Sequence, residues 1–216
     1  NYVEHSACNR GVPVEDEEPL CRYCRLNEII PDLSIDGNLL KWQRLETAKH
    51  RVLYDVDRIG FPIVIEEEGE RPHLRFEFKA AVTEPVSTGY ASGLITIDIA
   101  EADSVQREQT RVEFGEPQRT LVGHFRHELG HYYWELLVEP YRLEEFRKLF
   151  GNEQNPTYAE AQQQYYEDGT SENWHEYFIS EYATMHPWED FAETFAAYRD
   201  MIAIVETARH FDRTKV

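Results

Sequence analysis

The chain has 216 residues, 41% of them hydrophobic and 13% aromatic, with a formal net charge of -19. That length suits one full-sized domain and a small appendage, and no apolar run approaches the ~20 residues of a membrane-spanning helix. Acidity on this scale argues against binding to nucleic acid and favours basic partners, although Glu15 to Glu18 and Glu66 to Glu70 also read as solvated acidic loops. Three cysteines, an odd number, argue against a disulfide framework and for a reducing compartment, the cytoplasm. Because the first residue is Asn1, a targeting signal ahead of it is compatible with this reading.

Residues 1–33 read as a separate zinc-ribbon-like module, turn-prone at Pro13, Pro19 and Pro31. Cys21-Arg22-Tyr23-Cys24 is a CxxC knuckle, and Cys8 precedes it at a spacing suited to a structural zinc. A redox CxxC is the weaker reading, because no βαβ pattern surrounds the pair. The fourth ligand is either His5, three residues before Cys8, or a cysteine ahead of Asn1. A module of ~30 residues cannot build a core, so bound metal would supply most of its folding free energy.

Residues 34–216 read as the second domain. Leu45, Ala48, Val52, Val56 and Ile59 recur at helical spacing, and Gly60 and Pro62 end that helix. Ile63 to Ile65 reads as a short strand; His73 to Val82 and Leu94 to Ile99 alternate as strands with one buried face each. The Leu94 strand is a candidate rim for a peptide cleft, where an extended substrate could pair. A helix is expected from Ala102 to about Val112. The next spans Pro117 to Val138, closed by Glu139-Pro140. Further helices are expected over 141–150, 157–167, 171–182 and 187–210. The order predicts an α+β fold with a small mixed sheet and a mostly helical C-terminal half.

Within the Pro117 helix lies His127-Glu128-Leu129-Gly130-His131, an HExxH motif. Positions i and i+4 share a helix face, so both imidazoles can reach one metal ion with Glu128 beside them. A catalytic zinc needs a third protein ligand from elsewhere. The best candidate is Glu189 in His186-Pro187-Trp188-Glu189-Asp190-Phe191-Ala192-Glu193. Glu193, four residues on, shares its face and can accept the free N–H of a ligand histidine. Asp190 points about 100° away on a helix and is a weaker candidate, and His186 weaker again.

The ribbon cysteines, Ile30-Pro31-Asp32-Leu33, the run Gly123 to Trp134 and the run His186 to Glu193 together resemble the bacterial putative zinc-binding metallopeptidases that carry an N-terminal zinc ribbon. The resemblance covers nearly the whole chain and implies a zincin-like catalytic domain. The Glu-x-x-Ala-Glu-x-Phe pattern from Glu189 is also similar, over a shorter stretch, to the ligand helix of the anthrax lethal factor type of gluzincin. That similarity implies Glu189 as zinc ligand and a tyrosine near the oxyanion seven residues earlier, at Tyr182. The first family usually carries another cysteine a few residues ahead of the position of Cys8, which bears on His5.

The expected function is a zinc metallopeptidase with two zinc ions, one catalytic and one structural. Glu128 is the general base, and Tyr182 first and His186 second are the oxyanion donors. His124, one turn before His127, reads as structural. Two other readings stay open on the residues: a catalytically silent zinc-binding adapter, and a hydrolase of non-peptide amides.

Overall fold

The computed structural model describes residues 5, 8–66, 69, 71–81, 85–103 and 120–213. The chain divides into two compact units, Asn1–Phe114 with Arg119–Phe125, and Gly115–Gln118 with Arg126–Val216. The α+β class expected from the pattern is the one observed. Among the described residues, no helix is long and apolar enough to cross a membrane.

The first unit is built on a long helix, α1 (Asn38–Arg58), and four strands: β1 (Asn27–Ile29), β2 (Arg75–Lys79), β3 (Gly89–Ala91) and β4 (Leu94–Asp98). The sheet order is β1-β2-β4-β3, parallel except for β3 against β4. Leu74, Phe76, Phe78, Ile95, Ile97 and Ile99 bury one face, as their alternation predicts. β3 and β4 are joined by Ser92-Gly93, both with positive φ (45° and 81°), the conformation of a two-residue hairpin turn whose twist matches the strands.

Two expectations change here. Ile63 to Ile65 is not a strand. β4 lies inside the sheet, paired on both sides, so its edges are not open to an extended substrate. The ribbon segment packs against the rest of the first unit. Its β1 joins the sheet, Arg22 and Tyr23 bond Asp57 of α1, and Asn27 bonds Glu46. Glu46 in turn pairs with Lys49, whose side chain is fully buried with its ammonium above the rings of Phe76 and Phe78. α1 thus buries a wider stripe than the expected apolar positions mark, and within it Glu46 Oε1 and the Lys49 ammonium are both hydrogen bonded to Asn27 of the ribbon.

The HExxH helix, α2 (Leu121–Tyr133), starts at Thr120, whose Oγ1 accepts the Gly123 N–H at 2.9 Å. Pro117 and the expected Ala102 helix beyond Asp103 lie outside the described residues; Ile99–Ala102 is a 3₁₀ turn. In the first unit Phe125 packs on Phe76 and Phe78, and His124 Nδ1 bonds Glu101 Oε2 at 2.5 Å, a structural pairing.

In the second unit α2 passes into a π-helical turn, Trp134–Val138, and then directly into α3 (Glu139–Phe150). Pro140 therefore opens a helix, where its missing N–H costs no hydrogen bond, and does not close one. α4 (Tyr158–Asp168) is held by a reciprocal capping box between Thr157 and Glu160. Residues 171–182 do not form a helix, giving only 3₁₀ turns at Trp174–Glu176 and Tyr182–Thr184. α5 (Pro187–Arg213) closes the unit. An aromatic core of Trp134, Phe146, Phe150, Trp188 and Phe191 joins α5 to α3 and the π-turn.

Candidate metal centre

The site lies wholly in the second unit, where α2 and α5 touch at their backbones. A Cβ on Gly130 would fall 2.8 Å from the Ala192 Cα, so the glycine permits a contact that no other residue would. That approach brings the carboxylates of α5 onto the histidines of α2. Phe195 packs on Tyr133 beside it with the rings tilted, and Arg126 is paired with Asp200.

His127 Nε2 and His131 Nε2 are 3.2 Å apart, and Glu189 Oε2 lies 3.0 Å from the first and 3.5 Å from the second. Zinc with N and O bonds of about 2.0–2.1 Å at tetrahedral angles separates its ligand atoms by about 3.3–3.4 Å. The triangle matches that spacing. Glu189 is 2% exposed, and its Oε2 accepts no aligned hydrogen bond although it faces two ring nitrogens. A cation at the centre of the triangle satisfies this oxygen, so the residues fit the metal.

The surrounding groups fix how these atoms point. His127 Nδ1 donates to Glu193 Oε1 at 2.7 Å, which leaves Nε2 as the ligating nitrogen. Burial alone would raise the carboxyl pKa of Glu193, but the His127 hydrogen bond outweighs it and the group stays ionised. Burial opposes charge at Glu189 too, and the adjacent His127 and His131 rings hold it well below the usual carboxylate range. The Tyr158 hydroxyl donates to Glu189 Oε1 at 2.9 Å, turning Oε2 toward the histidines. Because a carboxylate only accepts, the Tyr158 oxygen is left to accept from Tyr182, to which it is hydrogen bonded. Burial, together with the charge of Glu189, pushes both phenols up, so both stay protonated. The Tyr182 ring sits 6.1 Å from that of His127. Glu128 is buried, and its charge acts on both His127 and Tyr158.

Two candidates do not join this group. His186 is buried with both ring nitrogens engaged by backbone: Nε2 donates to the Glu153 carbonyl at 3.1 Å and Nδ1 accepts the Trp188 N–H at 3.2 Å. It has no proton left to offer an oxyanion. Asp190 is hydrogen bonded to Thr194 and lines a cavity of about 340 Å³ with Phe150, Gln164 and Phe178. Tyr158 was missed by sequence reasoning, because nothing in the pattern ties it to a residue 31 positions away.

In the first unit Cys8, Cys21 and Cys24 are buried, in no disulfide, with sulfurs all within 4.8 Å of one another. Cys8 Sγ and Cys21 Sγ are 3.7 Å apart, and two sulfurs at about 2.3 Å from one tetrahedral zinc are about 3.8 Å apart. The Cys21 thiol is drawn strongly toward thiolate by hydrogen bonds, first from Cys24. His5 is exposed and its ring is not part of this cluster, so it does not fill the fourth position.

Residues 38–216 match the family model described as a putative zinc-binding metallo-peptidase, and residues 1–35 match a zinc-ribbon domain. Uncharacterized proteins of Mycobacterium bovis and Mycobacterium tuberculosis are 40% identical to the chain over 203 residues, covering 93% of it. The chain spans 59% of the length of these relatives. No solved structure gives a significant match.

Proposed function

The chain belongs to this zinc-binding metallo-peptidase family, and from that premise we propose that it hydrolyses peptide bonds with Glu128 as general base. The observation that carries the proposal is the triangle of His127 Nε2, His131 Nε2 and Glu189 Oε2, with edges of 3.0 to 3.5 Å and Glu128 beside it. His127, His131 and Glu189 would hold a zinc ion there, which would supply an acidified water and polarise the scissile carbonyl.

Glu128 takes the proton of the attacking water and passes it to the leaving amine. Glu193 keeps the His127 ring in one tautomer throughout, and Tyr158 keeps Glu189 turned toward the histidines. Tyr182, a protonated phenol within this group, is the donor for the developing oxyanion once its hydroxyl turns from the Tyr158 oxygen to the substrate. A second zinc holds the cysteine knuckle and is structural. With a net charge of -19, the chain favours basic peptide or protein substrates in a reducing compartment such as the cytoplasm.

Glu128→Gln is the direct test. It should retain zinc at the HExxH site and lose peptide cleavage by at least about 100-fold. Cleavage at the wild-type rate would remove Glu128 from the mechanism. If the zinc-loaded wild-type protein cleaves no peptide in a broad library, the adapter or non-peptide reading takes its place.

A further inference from the structure

The cavity of about 340 Å³ that Asp190 lines lies next to the oxyanion donor, and its lining residues all belong to the second unit. We propose that it receives a lysine or arginine side chain of the peptide substrate, with Asp190 as the residue that selects the charge. The proposal rests on the peptidase reading above and gives the basic substrate class a place to bind.

The cavity and the metal centre share a segment of chain. Ala183 to Pro187 form part of the wall directly after Tyr182, and Asp190 follows Glu189. The Tyr165 ring, also in the wall, meets the Tyr182 ring edge-on at 6.0 Å, and Tyr182 lies 6.1 Å from His127. The Tyr165 and His127 rings are therefore at most about 12 Å apart, and an extended peptide advances ~3.3–3.6 Å per residue. A residue within about three positions of the scissile bond can place its side chain here.

The lining favours one sign of charge. Phe150, Tyr165, Phe178 and Pro187 offer apolar surface to the methylene stem of a long basic side chain. Among the described residues no lysine or arginine lines the cavity, and no cation pairs with the half-buried Asp190 carboxylate, which the Thr194 hydroxyl bonds. Glu193 adds to the negative potential there. His186 brings no positive charge, because its Nδ1 accepts the Trp188 N–H and so carries no proton. Thr170 Oγ1, also in the lining, is buried with no hydrogen-bond partner. A desolvated carboxylate and an orphaned hydroxyl are each costly, and the N–H groups of an ammonium or guanidinium satisfy both. A cavity of this size is at the lower limit for a ligand site, which suits one side chain.

Cleavage of a mixed peptide library by the zinc-loaded full chain, read by mass spectrometry, tests this. Lysine or arginine should be enriched at one position within about three residues of the cut. Asp190→Asn should lower the ratio of kcat/KM for the best lysine peptide to that for its glutamine counterpart. The expected fall is at least about 10-fold, the worth of one charge-assisted hydrogen bond. Gln164 is exposed on α4 and lines the cavity, so Gln164→Lys sets a repelling cation there without touching the core, and should lower the same ratio. A library without basic preference would overturn the proposal, and so would an unchanged ratio in either variant. Binding of n-butylguanidinium, an arginine side chain without a peptide, separates this failure from failure of the peptidase reading. Binding to the zinc-loaded chain that weakens at least about 10-fold in Asp190→Asn and persists in Glu128→Gln supports the cavity even if no peptide is cut. Equal binding by wild type and Asp190→Asn would overturn it.

Discussion

Gly130 and Ala192 meet backbone to backbone: the missing Cβ of the glycine is the gap into which the Ala192 Cα fits at 2.8 Å. The contact sets the separation of α2 and α5, and hence the reach from Glu189 and Glu193 to His127. In an exposed helix interior, Gly→Ala gains about 1 kcal/mol. Here the added methyl meets backbone, which cannot rotate away. Gly130→Ala is expected to destabilise the protein by about 1–3 kcal/mol. It should weaken zinc at the HExxH site while leaving the cysteine cluster loaded. Thermal unfolding and zinc competition with a chelator would show both effects. A gain in melting temperature with unchanged zinc affinity would show that the helices are not held by this contact.

Tyr158 grips the Glu189 oxygen that faces away from the histidines, and its ring stacks on Trp188 and meets His186 edge-on. Tyr158→Phe keeps the packing and removes only the hydroxyl. The freed carboxylate rotates more easily, so zinc affinity at the HExxH site is expected to fall by about 10-fold or more. Zinc competition on the purified variant measures this, and an affinity equal to wild type would mean the hydrogen bond does not orient the ligand.

Glu153 holds Arg147 through two bonds, Nε to Oε2 at 3.0 Å and Nη2 to Oε1 at 2.5 Å. The Arg147 hydrogen bonds hold its carboxyl below the usual range. A depressed carboxyl pKa contributes stability above the unfolded value and loses it as the pH falls through the folded one. Glu153→Gln is therefore expected to cost about 1–2 kcal/mol near neutral pH. The gap between variant and wild type should close below about pH 4. Denaturant unfolding at several pH values gives the difference directly; a gap independent of pH would assign the cost to packing.

Local pattern carried the site a long way. His127 and His131 must share a face once the segment is helical, because i and i+4 always do, and the same rule pairs Glu189 with Glu193. Alternation marked β2 and β4, and spacing brought the three cysteines together. These are properties of a few consecutive residues, or of cysteine chemistry, and a sequence determines them alone. What tertiary structure decided is everything that depends on two distant segments meeting. Which α5 carboxylate oxygen faces the histidines was settled by Tyr158, and the loss of His186 as a donor by the Glu153 carbonyl and the Trp188 amide. β4 became an inner strand only because β2 and β3 flank it. Such pairings leave no periodic trace, since the energy that fixes them comes from burial and hydrogen bonds across the fold.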